Sequence, residues 1–346
     1  MHMDKYNGSG NQGMIFLSGS IRKDFLVGVT AVMVLGLSSC GGGGGSAASG
    51  DCEPAEKVSI VYQPGLGYAS LLIAKQEKLV EKALPDVDVT WKELNSGAAI
   101  RDGLIGGNLQ VGAGGIGPFL VGLDAGVDWK ILTGLNNMSL YLNTMDPKIK
   151  SLKDLKGTGK IAMPAPDSIQ SVVLRKGAEE QLGDAKALDS QIVSMGHPDG
   201  VQALIGGAIA AHLTSPPFQA QELEEGATKL LDSYELFGTH TFNSVYTKTE
   251  FAKCNPELID ELVAVVADVN DMLTNEPAEA AEILSKEMGI PAAKVEEQIT
   301  SEDVAFVNTP TGFGTFAKFM KSIGMIKEVP KTEDMFFDTK ATADAN

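Results

Sequence analysis

The sequence predicts an α/β protein of two lobes, each a mainly parallel sheet flanked by helices. Three observations carry that expectation. Short β-type runs alternate with helical stretches from residue 57 onward, and the same plan restarts after a hydrophilic stretch at 146–159. The turns between these runs are built from small residues. Finally, the 346 residues are 43% hydrophobic with 39 glycines and only 6% aromatics. That supplies enough apolar surface for two cores with close helix–strand contacts.

In order, VSIVYQ (58–63) reads as a strand and ASLLIAKQEKLVEKA (69–83) as one helix with apolar residues at helical spacing. VDVTWKEL (87–94) is a strand, SGAAIRDGLIGG (96–107) a short helix closed by glycines, and LQVGAGG (109–115) a strand. IGPFLVGLDAG (116–126) is a helix that tolerates Pro118 in its first turn, and WKILTGL (129–135) is a fourth strand. The second unit reads as strand KIAMPA (160–165), helix 167–183, strand SQIVSMG (190–196), helix 198–207 and strand AIAAHLTSP (208–216). TKLLDSYELFG (228–238) then leads into TFNSVYTKTEF (241–251), a return to the first unit, and helices follow from residue 255. The expected boundaries are therefore residues 57–140 with 243–346 for lobe I and 141–242 for lobe II, with chain crossings near 136–145 and 239–246.

The formal net charge is −17, a surface that repels phosphate backbones and argues against nucleic-acid partners. Beyond residue 39 only Arg101 and Arg175 remain, so a site built on guanidinium forks has few candidates. His197, His212 and His240 show no metal-ligand spacing, no nucleophile–base pair stands out, and no cofactor motif is present.

The amino terminus has its own pattern. Arg22 and Lys23 precede thirteen uncharged residues, Phe25 to Leu37. That is shorter than the roughly 20 residues of a spanning helix and suits the apolar region of an export signal. Leu37-Ser38-Ser39-Cys40 resembles the bacterial lipobox, which implies cleavage before Cys40, lipidation of its thiol and anchoring at the cell envelope. Residues 1–39 then form the signal, with Met14 a plausible start, and 40–56 a tether whose GGGGGSAASG run is too flexible to join a core. Cys52 and Cys254 are the other two cysteines, and in an exported chain they can form a disulfide or stand as two free thiols.

Several segments in one order carry a family resemblance: YQPGLGYASLLIAKQEKLVEKAL, NSGAAIRDGLIGGNLQVGAGGIGPFL, SLKDLKGTGKIAMPAPDSIQSVVLRKGAEEQLG and GVQALIGGAIAAHLTSPPF. Together they resemble the nitrate/sulfonate/taurine substrate-binding proteins of ABC importers over about residues 57–330. The resemblance implies a type II periplasmic-binding fold that takes up a small-molecule solute between its lobes and hands it to a membrane permease with its ATPase. It favours a sulfonate, taurine-like or other small organic acid. A pyrimidine-like neutral heterocycle is the alternative, and an enzyme of the related thiamine-pyrimidine synthase type is a weaker one.

The residues themselves are compatible with that reading. Four strand-to-helix turns rich in Gly, Ser, Pro and Asn would present helix N-terminal N–H groups to a ligand's negative end. From the turns come Ser96, Gly97, Gly115, Ile116 and Ser168; Gln63 and Tyr68 follow the first strand. Ser215 and Phe218 sit where the family's returning segment faces the cleft. Each of these also has an ordinary role in βα-loop chemistry. Where the family carries Asp-Ala in the returning strand, this chain has Ala210-Ala211-His212, and a lone strand histidine is more often a hydrogen-bonded core residue. Arg101, one turn into its helix, is the better electrostatic candidate; Arg175 reads as lobe support.

Overall fold

The computed structural model describes residues 52–346. The expected signal segment, the expected lipidation site Cys40 and most of the expected glycine tether lie outside the described residues.

The chain opens with β1 (Lys57–Tyr62), α1 (Ala69–Gln76), α2 (Leu79–Ala83), β2 (Asp88–Glu93), α3 (Gly97–Ile105), β3 (Val111–Gly115), α4 (Ile116–Asp124) and β4 (Trp129–Met138). It continues through β5 (Tyr141–Thr144), α5 (Leu152–Leu155), β6 (Ile161–Met163), α6 (Ile169–Leu182), β7 (Ile192–Ser194) and α7 (His197–Ile205). Next come β8 (Ala211–Thr214), α8 (Phe218–Glu224), β9 (Thr228–Asp232) and α9 (Ser233–Phe237). The remainder is β10 (Thr241–Lys248), α10 (Thr249–Cys254), α11 (Pro256–Asn275), α12 (Pro277–Met288), α13 (Ala292–Ile299), β11 (Val304–Ala305), α14 (Phe313–Ser322) and α15 (Thr332–Met335).

Two sheets result, ordered β11-β4-β10-β3-β1-β2 in lobe I and β7-β6-β8-β5-β9 in lobe II. The neighbours β1, β2 and β3 run parallel, as do β6, β7 and β8. The edge strand β11 runs against this direction beside β4, and so does one inner strand of each sheet: β10 between β3 and β4, and β5 between β8 and β9. These two inner strands are the ones on which the chain arrives from the other lobe. The parallel strands end at the cleft, so a strand that starts from the cleft must point the other way. The same geometry gathers the loops at the carboxyl ends of the parallel strands between the two sheets, where open α/β sheets bind ligands.

The helix expected over 69–83 is broken. Lys78 takes a left-handed conformation, φ 52°, and separates α1 from α2. No glycine or proline marks that break; it lets Val80 reach the core, where it is buried, and packing overrides the helical pattern. In lobe I, Phe119 of α4 stacks on Trp129 at 5.4 Å between centroids, and Trp129 meets Tyr246 edge-on at 5.1 Å. Gly122 makes this possible, because a Cβ there would lie 2.1 Å from the Trp129 ring. Cys52 and Cys254 are bonded to each other and tie the start of the described chain to the end of α10.

Candidate functional site

Between the lobes lies a narrow, nearly closed cleft with a volume of about 20 Å³. Its lobe I wall brings together Gln63 and Pro64 after β1, Tyr68, Gly97 at the start of α3, Gly115 and Pro118 around the start of α4, and Phe242 and Asn243 of β10. Its lobe II wall comes from Pro164, Ser168, Ile169, Gln170, His197 and Ser215. Of the residues singled out by sequence, Gln63, Tyr68, Gly97, Gly115, Ser168 and Ser215 line this cleft. Three do not. Ser96 serves as N-cap of α3, its hydroxyl accepting from Ala99 N at 3.2 Å. Ile116 is buried in the lobe I core. Phe218 faces a second groove with Pro64, Gly65 and Met288, and stacks behind the cleft on His197 at 5.5 Å.

The lining contains no lysine, arginine, aspartate or glutamate. Four helices of nine or more residues, α3, α4, α6 and α7, begin at or beside it. Each brings unpaired first-turn N–H groups and the positive end of a helix dipole. The caps fix two of these turns: Ser168 Oγ accepts from Ser171 N at 3.2 Å, which leaves its own proton to donate elsewhere.

The lobe I wall is a hydrogen-bonded block. Gln63 Nε2 donates to Tyr68 Oη at 2.5 Å, and Tyr68 Oη donates to Asn243 Oδ1 at 3.1 Å. Asn243 and Asn136 both donate to the Gly67 carbonyl, at 3.1 and 2.6 Å. Burial holds the Tyr68 phenol well above its ordinary pKa of 10.0, so it stays a neutral donor.

Both arginines are engaged outside the cleft. Arg101 Nη1 pairs with Asp167 Oδ2, a bond from α3 of lobe I to the turn before α6 of lobe II. Arg175 Nε pairs with Asp189 Oδ1 at 3.0 Å while its Nη1 holds the Pro166 carbonyl at 2.9 Å, which braces that same turn. Leu66 N also donates to Pro216 O at 3.1 Å, and Lys294 Nζ reaches Glu224 Oε2 at 2.5 Å, so the lobes touch on several sides of the cleft.

Sequence reasoning missed Gln170, His197, Phe242 and Asn243 as cleft residues, and it missed what stands behind His197. His197 Nε2 lies 3.2 Å from Gln170 Nε2, and His197 Nδ1 is 3.2 Å from His212 Nε2 and 3.0 Å from Thr214 Oγ1. His212 Nδ1 lies 2.5 Å from Glu222 Oε1, and Asn143 Nδ2 donates to Glu222 Oε2 at 2.9 Å. His212, Glu222 and Asn143 are fully buried. The one sequence signal was Gly200, where a Cβ would come within 2.5 Å of the His212 ring.

Two α/β lobes that meet around such a cleft define a protein of the two-lobed periplasmic solute-binding class. Residues 51–286 match the NMT1-like family, and the chain belongs to that family, among the substrate-binding proteins of the nitrate/sulfonate/taurine type. It is a solute-binding protein and not an enzyme. A relative from Escherichia coli (strain K12), named for the binding of aliphatic sulfonates, is 26% identical over 242 residues, 68% of this chain and 73% of that one. The alkanesulfonate-binding protein from Xanthomonas axonopodis pv. citri bound to MOPS superposes with a TM-score of 0.64 at 20% identity, covering 81% of this chain and 96% of that one. The periplasmic nitrate-binding protein of Synechocystis PCC 6803 gives 0.66 at 15% identity, covering 79% and 82%. At those identities the structural likenesses speak for the fold.

Proposed function

We propose that the protein is an exported receptor of an ABC importer that captures a small organic anion, of the sulfonate, taurine-like or carboxylic-acid class, between its lobes. A permease and its ATPase receive the solute, and Cys40 holds the receptor to the membrane through a lipid. One observation carries the ligand class: four helix N-termini converge on a lining that holds no charged side chain. Such a site binds negative charge through N–H groups and helix dipoles, and it needs no guanidinium. Ser168 and Ser215 add hydroxyl donors. Selectivity comes from bridging: a solute that contacts both walls stabilises the closed form, and one that contacts a single wall does not.

A neutral pyrimidine-like ring is the second reading. It rests on the amides of Gln63, Gln170 and Asn243, which offer paired donors and acceptors beside the Tyr68 and Phe242 rings. The experiment that separates them is calorimetric titration and thermal melting of the purified protein with ethanesulfonate, taurine, propionate and uracil. The anion reading expects the sulfonate or carboxylate to raise the melting temperature and uracil to leave it unchanged. Stabilisation by uracil alone would overturn it in favour of the ring, and turnover of any compound would overturn the receptor role.

A further inference from the structure

The Glu222 carboxylate is the only acidic group in the hydrogen-bonded chain that runs from the cleft through His197 and His212 into lobe II. Among the described residues it makes no hydrogen bond or ion pair with a lysine or arginine side chain; its partners there are His212 Nδ1 and Asn143 Nδ2. The other ionisable groups on the packed elements are turned elsewhere. Asp199 on α7 and Glu225 just after α8 are exposed, and Glu224 on α8 pairs with Lys294. On β5, Tyr141 Oη donates to Asp303, and on β9, Lys229 pairs with Asp232. The strand β6 and the cleft-facing first turn of α6 carry no ionisable side chain. A fully buried carboxylate without a counter-ion either holds a proton or is compensated by one moving along its hydrogen bonds.

The chain permits two complete hydrogen-bond patterns. With Glu222 ionised, Gln170 N–H donates to His197 Nε2, His197 Nδ1–H donates to His212 Nε2, and His212 Nδ1–H donates to the carboxylate. With one more proton, Glu222 O–H donates to His212 Nδ1, His212 Nε2–H donates to His197 Nδ1, and His197 carries its proton on Nε2. In passing between them each imidazole ring gives up its Nδ1 proton and gains one at Nε2, so the net change is one proton taken from solution and one neutralised carboxylate. Thr214 Oγ1 accommodates both patterns because its hydroxyl can donate or accept. Asn143, donating to Oε2, leaves Oε1 as the oxygen that takes the proton.

We propose that Gln170, His197, His212 and Glu222 form a proton wire that converts the cleft-facing nitrogen of His197 from acceptor to donor, so that this receptor takes up one proton when it binds an anionic solute. Gln170 answers the new His197 N–H by turning its carbonyl oxygen toward it, which frees the Gln170 NH2 group as a further donor. The cleft thus presents donors when the wire is protonated and an acceptor when it is not, and an anion selects the first. The inference rests on the anion reading given above. Burial supports the resting place of the proton: it pushes Glu222 up to about 8 against the hydrogen bond from Asn143, and pushes His212 down to about 3. His197 is held well below 6.5, by burial first and His212 second, which makes an imidazolium the unfavourable alternative.

Two measurements test this. The first is calorimetric titration of the protein with ethanesulfonate between pH 6 and pH 9.5, in buffers of different ionisation enthalpy that are not themselves sulfonates. The wire predicts uptake approaching one proton per solute on the alkaline side, with affinity falling up to tenfold per pH unit there. Glu222→Gln, whose amide NH2 donates to His212 Nδ1 as the protonated acid does, should take up no proton and bind equally well at pH 6 and pH 9. Binding without proton uptake in the wild type, or uptake retained in Glu222→Gln, overturns the proposal. The second is ¹⁵N NMR of the histidine rings in the solute-free wild type over pH 6–10. His197 and His212 should exchange tautomers together, with neither becoming an imidazolium. Fixed tautomers, or an imidazolium at either ring, overturn the wire whether or not ethanesulfonate binds. If ethanesulfonate fails to bind while the tautomers exchange, the anion reading falls and the wire stands.

Discussion

The ion pair between Arg101 and Asp167 joins the two lobes, so breaking it should weaken solute binding without touching the cleft lining. Both side chains are partly covered, 18% and 23% exposed. The pair therefore belongs between exposed pairs, at about 0.2–1 kcal/mol, and buried pairs, whose rupture costs about 3–5 kcal/mol. We take about 1–2 kcal/mol for its contribution to the closed form. If closure is coupled to binding, that loss appears as roughly a 5- to 30-fold rise in Kd, since 1.4 kcal/mol is about tenfold. Arg101→Ala and Asp167→Asn should each show it by calorimetry, together with a larger radius of gyration in solution scattering at subsaturating solute. The double variant should be little worse than either single one, with a coupling energy of about 1 kcal/mol. The two substitutions discriminate a latch from a ligand contact. If Arg101 touched the solute itself, Asp167→Asn would free it and tighten binding, and that outcome would refute the reasoning.

Other expectations follow from the same structure. Gly122→Ala should lower stability by about 1–3 kcal/mol, because its Cβ would meet the Trp129 ring at 2.1 Å and the core must shift; chemical denaturation checks it. Burial lowers His212 to about 3 and His240 to about 4, and His197 likewise lies below 6.5, so all three stabilise above pH 6.5 and lose that contribution as pH falls. Glu222 is raised from 4.5 to about 8, so its contribution is complete below 4.5 and disappears as pH rises through 8. Melting temperature should therefore peak near pH 6.5, with Glu222→Gln flattening the alkaline side, and a monotonic profile would contradict these assignments. Cys40→Ala should move the protein from the membrane fraction to the soluble fraction and leave solute affinity intact; retention at the membrane would remove the anchor reading.

Periodicity made the order of strands and helices legible, because alternation at period two and 3.6 survives wherever one face is buried. The break at Lys78 was not legible, since nothing in KQEKLVEK disfavours a helix and only the placement of Val80 demands the turn. The cleft positions Gly97, Gly115 and Ser168 could be read in advance for a local reason: each sits where a strand hands over to a helix, and small or capping residues announce that junction. Asn243 and His197 carry no such mark. Their place depends on which strand returns from the other lobe and on how α7 lies against β8, and these are long-range facts. Arg101 shows the opposite error. An arginine near a predicted cleft invites an electrostatic role toward ligand, yet Asp167, 66 positions away, takes its charge first. Glu222 reads as one more polar residue in the acidic run AQELEE, and only the packing of α8 on β5 and α7 buries it.

These placements bear on how an acidic protein could hold an anion at all. With a net charge of −17, the long-range field repels a negatively charged solute and cannot concentrate it near the cleft. The two arginines of the described chain are bound to Asp167 and Asp189, so neither supplies a compensating charge in the lining. What remains are short-range donors, the helix starts and hydroxyls, which act only within about a turn's distance, and they surround a solute fully only when both lobes close on it. Under those conditions affinity and closure become one quantity. An added carboxylate charge next to the cleft would be unfavourable, and a protonated Glu222 removes the only one that the hydrogen-bonded chain connects to it. The acidic surface, the paired arginines and the buried histidine chain are thus consistent with one requirement of the proposed function: an anionic solute would have to be recognised by geometry at contact, because the net charge supplies no attraction at a distance.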